Sequence, residues 1–294
     1  MIGKHSRHFA AWLSLIMFTT ASAASDNTLF ARVTHGDDDQ PQSLQVALVS
    51  YGPEDGSSRF RVDLVSAIHI GDEAYYADLN ERFVDYDAVL YELVAPPGTV
   101  VTADDPGQRG LLSMTQSGLT NLLGLTFQLE QIDYGAANFV HADLSRAELS
   151  QRMDERGESM YVYFWRLFYA SVREYAKDPL GVGDWKMLAT MLGSGQDPAL
   201  KTLFAYEITN LESMQDILGE DSDSALIGAR NERAIEVLRK TLDNGSTRVG
   251  IFYGVAHMPD LEDRLRAMGL VRTGTVWIDA WQLAGGPTGP TELE

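Results

Sequence analysis

Two histidines and one glutamate carry the residue types and spacing that could do chemistry in this chain. His69 closes the segment VDLVSAIH and His257 closes IFYGVAH; each follows a small residue, Ser66 or Gly254, by three positions, and each precedes a short loop with an aspartate and then helical spacing. An imidazole just past a buried strand and just before a helix lies at the sheet edge where open α/β proteins bind ligands. The small residue lets backbone or ligand come close. Glu92 lies in the apolar run DAVLYELV, where a carboxylate is costly unless it is paired, hydrogen-bonded or bound to a metal. Two histidines and a carboxylate suit a divalent ion with open coordination positions. Structural histidines and a satisfied buried acid are the alternatives for each residue alone, and the repetition of the histidine in two equivalent units favours the functional reading. His35 and His141 lack that context and read as surface or structural residues. The chain has no cysteine and no G-x-S-x-G elbow, so a hydrolase built on it would activate water rather than a side-chain nucleophile.

The elements that must position these residues follow from periodicity. Alternation over 44–51, a Gly-Pro-Glu-Asp-Gly break and renewed alternation over 59–70 predict a hairpin feeding a buried strand. A helix over 74–83 and a buried strand over 87–94 complete a βαβ unit with a parallel strand pair. Between 96 and 223 the strand signal disappears, and helical stretches at 111–130, 145–156, 159–177 and 198–210 predict a helical insertion. The third is crowded with aromatics, Tyr161, Tyr163, Phe164 and Trp165 among them, which suits cap packing or a substrate groove. A long helix over 224–243 carries Arg230 and Asn231; a buried strand over 248–255, a short helix to Met268 and a strand near 273–281 complete the chain. The fold class expected is therefore α/β, with a mainly parallel mixed sheet built from two strand-His-helix-strand units.

The N-terminus carries Lys4 and Arg7, an apolar run over 9–18 and the triplet Ala21-Ser22-Ala23, the pattern of a secretory signal peptide over 1–23. The run is shorter than the roughly 20 residues that span a bilayer, and no later stretch is long enough either, so stable membrane insertion is not expected. Loss of Lys4 and Arg7 takes the formal charge from -19 to -21. That charge makes nucleic acid an improbable partner and leaves solubility, or a cationic ligand or metal, as its use. With 45% apolar residues, roughly 270 mature residues can hold a single domain over 24–284 by burial alone. The Gly- and Pro-rich stretch over 285–294 reads as a disordered tail.

At these residues the chain resembles the TraB/PrgY/GumN family, which includes the Tiki metalloproteases and belongs with erythromycin-esterase-like and ChaN-like proteins. The resemblance rests on Ser66-Ala67-Ile68-His69, Glu92-Leu93, Arg230-Asn231 and Gly254-Val255-Ala256-His257, in that order along the chain. The first motif has Ser66 where the family pattern has glycine. The resemblance implies an exported metal-dependent, peptidase-like hydrolase acting on a peptide or protein, periplasmic or secreted. His69, Glu92 and His257 would hold manganese, cobalt or zinc, which lowers the pKa of bound water. Glu92 would serve as ligand or general base, and Arg230 and Asn231 as oxyanion donors. It also implies two alternatives: a haem or small-ligand binding protein of ChaN-like type, and a signalling or inhibitory module that has lost the chemistry.

Overall fold

The computed structural model describes residues 30–57, 59–96, 98–99, 124–158, 198–209 and 224–283. Its centre is a seven-stranded mixed sheet. β2 (Pro41–Pro53) is the hub. It pairs antiparallel with β9 (Leu270–Gln282) along one edge, and with β1 (Ala31–His35) and β3 (Arg61–Ala67) in succession along the other. From β3 the sheet continues through β8 (Arg248–Gly254), β5 (Ala88–Tyr91) and β7 (Phe139–His141), and these four strands run parallel. The fold is α/β with a mixed, largely parallel sheet, as the two strand-His-helix units predict.

The parallel strands are nearly continuous apolar runs because both faces are covered. Val62, Leu64, Val89, Leu90, Val249 and Ile251 have no solvent exposure. Helix α1 (Glu73–Phe83) lays Tyr75, Tyr76, Leu79 and Phe83 on the sheet, with the Phe83 ring 5.0 Å from Phe252 and 5.4 Å from Phe139. The long helix divides in two: a π turn over Ala225–Ala229, capped by Ser224 Oγ, and then α5 (Arg230–Asp243), which buries Ala234, Ile235 and Leu238. A helix α6 (Met258–Ala267) comes after β8 through a single 3-10 turn, Val255–His257.

Three features depart from the sequence expectation. The parallel partner of β3 is β8 rather than β5, so the two strand-His units interleave, and Glu92 neighbours the strand of His257 rather than that of His69. The 96–223 interval contains strands, β7 and the short β6 (Thr126–Phe127), which pairs with β4 (Ile70–Gly71). Both are too short to give a legible alternation. Its described helices are α2 (Gln128–Gln131), α3 (Arg146–Glu155) and α4 (Pro198–Thr209). β1 was also silent in the sequence. The expected signal peptide over 1–23, the aromatic stretch over 159–177, most of 111–130 and the Gly- and Pro-rich tail lie outside the described residues.

Among the described residues no helix is long and apolar enough to cross a membrane.

Candidate functional site

The carboxyl ends of β5, β7 and β8 deliver one buried polar cluster. Glu92 follows the last residue of β5, and its backbone N–H still bonds Phe252 O on β8 at 3.2 Å. The glutamate is thereby held at the end of the ladder, beside β8. Its Oε2 accepts the Gly254 N–H at 2.7 Å, and its Oε1 accepts Arg230 Nη2 at 2.6 Å. A Cβ on Gly254 would stand 3.3 Å from Oε2, so glycine here serves close approach of backbone to carboxylate. Arg230 reaches the cluster from the first turn of α5, immediately after the π turn. Such turns widen a helix locally and recur at functional sites.

Arg230 is shared. Its Nε and Nη2 clamp Asp143 Oδ1 and Oδ2 at 2.9 and 2.6 Å in a bidentate pair, and Nη1 lies 3.5 Å from Leu226 O and 3.4 Å from His257 Nε2. Asp143, two residues beyond β7, is 0% exposed. Burial alone would raise the Glu92 pKa, but the Arg230 guanidinium, and then His257, hold it well below the usual carboxylate range. Burial pulls the Arg230 pKa down while Glu92 and Asp143 raise it, and the net direction is up.

His257 is fixed from two sides. Its Nδ1 lies 2.7 Å from Asn231 Oδ1, while Asn231 Nδ2 donates to Asp260 Oδ2 at 2.8 Å and His257 O at 3.2 Å. With the amide nitrogen committed to two acceptors, Asn231 Oδ1 is the acceptor and His257 Nδ1 carries the proton. Nε2 then faces Arg230 Nη1, with Glu92 Oε1 at 3.5 Å. The Tyr253 ring packs edge-on to the imidazole at 5.2 Å, its hydroxyl donating to Ala142 O.

The first motif is built otherwise. His69 lies at the same sheet edge and close enough to act on the Glu92 charge, but its imidazole is exposed and makes no hydrogen bond among the described residues. Only its carbonyl is engaged, by Gln128 N at 2.8 Å. Ser66 pairs in register with Tyr253, and it is Ala67 that pairs with Gly254. In a sheet a one-residue offset moves a side chain to the other face. Ser66 therefore sits opposite to the Gly254–Glu92 contact, and its buried hydroxyl has no partner among the described residues.

No family model matches the chain, and no curated protein or solved structure matches it. The TraB/GumN resemblance thus rests on the motif residues themselves. Of those, the fold brings Glu92, Arg230, Asn231, Gly254 and His257 into one connected cluster, while the His69 ring stands at its exposed margin and Ser66 outside it.

The cluster does not fit the divalent ion that the resemblance implies. Among the described residues no three His, Asp or Glu side chains are arranged to hold a metal, and the Arg230 guanidinium already lies against both Glu92 Oε1 and His257 Nε2, at 2.6 and 3.4 Å. Asp143 was missed in the sequence, and Asp260 reads there only as the aspartate that starts the helix after His257. Asp143 had a signal of the kind that singled out Glu92: a carboxylate closing an apolar run, FVHADL.

His35 and His141 are held elsewhere, at 2.7 Å from Tyr206 Oη and Leu93 O respectively.

Proposed function

We propose that the chain is an exported hydrolase of carbonyl compounds, esters or peptides, with its reaction centre at the Glu92–His257 pair on the carboxyl edge of the parallel sheet. The observation that carries this reading is the imidazole of His257. Nδ1 is committed to Asn231 Oδ1, which leaves Nε2 as the acceptor of the ring, beside Arg230 Nη1 at 3.4 Å and Glu92 Oε1 at 3.5 Å; a general base needs such an acceptor, and the carboxylate balances the charge it gains with a proton. In the proposed step water gives a proton to His257 Nε2 as its oxygen bonds the substrate carbonyl carbon. The C–O or C–N bond then breaks and His257 returns the proton to the leaving atom. Asn231 holds the tautomer, Arg230 and the Gly254 N–H hold Glu92, and the exposed His69 meets the substrate at the margin. Export rests on the N-terminal pattern over 1–23.

The test is turnover by the mature protein on ester and peptide libraries, beside His257→Ala. The expected result is hydrolysis of at least one class that falls by about 10²–10⁴ in the variant, the range of general-base contributions. A folded protein that turns over neither library, or an undiminished His257→Ala, would sink the reading.

A further inference from the structure

We infer that Arg230 is the resident cation of this centre: its guanidinium occupies the space between Glu92, Asp143 and His257 that a divalent ion would need, and the site is built to work without one. The inference concerns the same site as the proposed hydrolase but stands on the ion-pair geometry alone.

A metal bonded to carboxylate oxygen and imidazole nitrogen needs both at about 2.0–2.2 Å. The two atoms that could offer this, Glu92 Oε1 and His257 Nε2, are 3.5 Å apart, so an ion bridging them must lie close to both. Arg230 is already there, with Nη2 2.6 Å from Oε1 and Nη1 3.4 Å from Nε2. A second cation would share Oε1 with a guanidinium N–H and meet like charge across a few ångströms of largely buried space. Arg230 also cannot step aside without consequence. Two of its nitrogens clamp Asp143, whose carboxylate is fully buried and has no other ion-pair partner among the described residues. Departure of the arginine would strand a buried charge, which proteins avoid.

The charge pattern supports the same conclusion. Two carboxylates and an imidazole surround one guanidinium, the ligand types that hold divalent ions elsewhere, here converging on an arginine. The substitution Arg230→Ala should therefore create what the wild type lacks, a set of three metal-binding side chains in Glu92, Asp143 and His257.

The experiment is calorimetric titration of the mature protein, purified without chelator, with manganese, cobalt and zinc, alongside metal analysis of the purified sample. Wild type is expected to carry no stoichiometric metal and to bind none tighter than about 1 mM. Arg230→Ala, checked for folding by circular dichroism, is expected to bind at least one of the ions about tenfold or more tighter than wild type. Adding Asp143→Asn should abolish the gain, and Arg230→Lys, which keeps the charge, should show none. Stoichiometric metal in wild type that His257→Ala removes would overturn the inference, as would a folded Arg230→Ala that gains nothing. If Arg230→Ala does not fold, the wild-type titration with and without His257→Ala still decides. Turnover that survives dialysis against EDTA supports the inference; turnover lost to EDTA and restored by manganese overturns it and leaves the hydrolase standing. Failure to find any hydrolysed substrate would count against the hydrolase alone, because the titrations are read without substrate.

Discussion

At the corner after β8, the His257 ring is buried, held by Asn231 through Nδ1 and turned toward Glu92 and Arg230 through Nε2. At the corner after β3, the His69 ring is exposed and only its carbonyl is bound. Both corners carry small-x-x-His after a buried strand, yet one is a preorganised site and the other its margin. The difference lies in the surroundings of each corner. β8 is flanked on one side by β5, which delivers Glu92, and α5 supplies Arg230 and Asn231, whereas β3 leads only into the small β4–β6 pairing. A motif supplies a backbone geometry; the neighbouring strand and helix determine whether its histidine is organised for chemistry.

The sharpest way to break this comparison is to remove each imidazole in turn. His257→Ala should lower kcat by about 10²–10⁴. His69→Ala should act on KM, by about tenfold or less, because an exposed side chain at the margin can lend substrate contact worth roughly 1.4 kcal/mol. Steady-state kinetics on the best substrate from the library screen separates the two. Equal losses in kcat would mean that the corners are equivalent after all.

The second contrast is between the buried carboxylate that anchors Arg230 and the exposed charges of the surface. Asp143→Ala should destabilise the protein by about 1.5–3 kcal/mol, since Arg230 loses both charge-assisted hydrogen bonds of its bidentate pair and keeps only Glu92. Removing Asp55 from its exposed pair with Arg59 should cost far less, because solvent screens such a pair. Urea melts of both variants measure this, and an Asp143→Ala loss as small as that of Asp55→Ala would show that Glu92 alone compensates the buried arginine.

Much of the sheet was legible because strands buried on both faces read as continuous apolar runs, and the helices announced themselves by caps and periodicity. The capping box of Ser145 with Glu148 is one such signal. Glu92 was legible for a related reason: a carboxylate inside an apolar strand demands a partner. Which partner it has was not. Arg230 lies 138 positions away, and only the interleaving of β8 between β3 and β5 brings Gly254 to the same oxygen pair. Asp143 escaped because β7 is three residues long, so the run that buries it does not read as a strand. The two-fold motif suggested equivalent histidines because sequence shows spacing but not register.

A smaller effect tests the electrostatics of the organised corner. Glu92 titrates below its ordinary value of 4.5 in the folded protein. The stability this contributes is therefore present above about pH 4.5 and is lost as pH falls through the lowered folded value. Glu92→Gln removes that titration, so the acid limb of stability against pH should become shallower by up to about 1.4 kcal/mol per pH unit where Glu92 takes up its proton. Denaturant melts taken from about pH 5 to about pH 2 read the slope directly. An unchanged acid limb would mean that Glu92 is not the carboxylate held by Arg230 and His257 in solution.

The smallest expected effect bears most directly on the register. If Ser66 occupied the place in the first corner that Gly254 occupies in the second, restoring glycine would open the backbone to a ligand and activity would rise. In this fold Ser66 pairs with Tyr253 and faces away from the Glu92 contact, carrying a buried hydroxyl without a partner among the described residues. Ser66→Ala should then stabilise the protein by up to about 1 kcal/mol, because an unsatisfied buried hydroxyl is removed and only a small volume is lost. Ser66→Gly should gain less or lose slightly, since glycine in a strand costs roughly 0.5–1 kcal/mol relative to alanine. Neither should move kcat/KM by more than about twofold, which is about 0.4 kcal/mol. A tenfold rise in kcat/KM for Ser66→Gly would place the first small residue at the reaction centre and restore the symmetry that the one-residue offset between β3 and β8 removes.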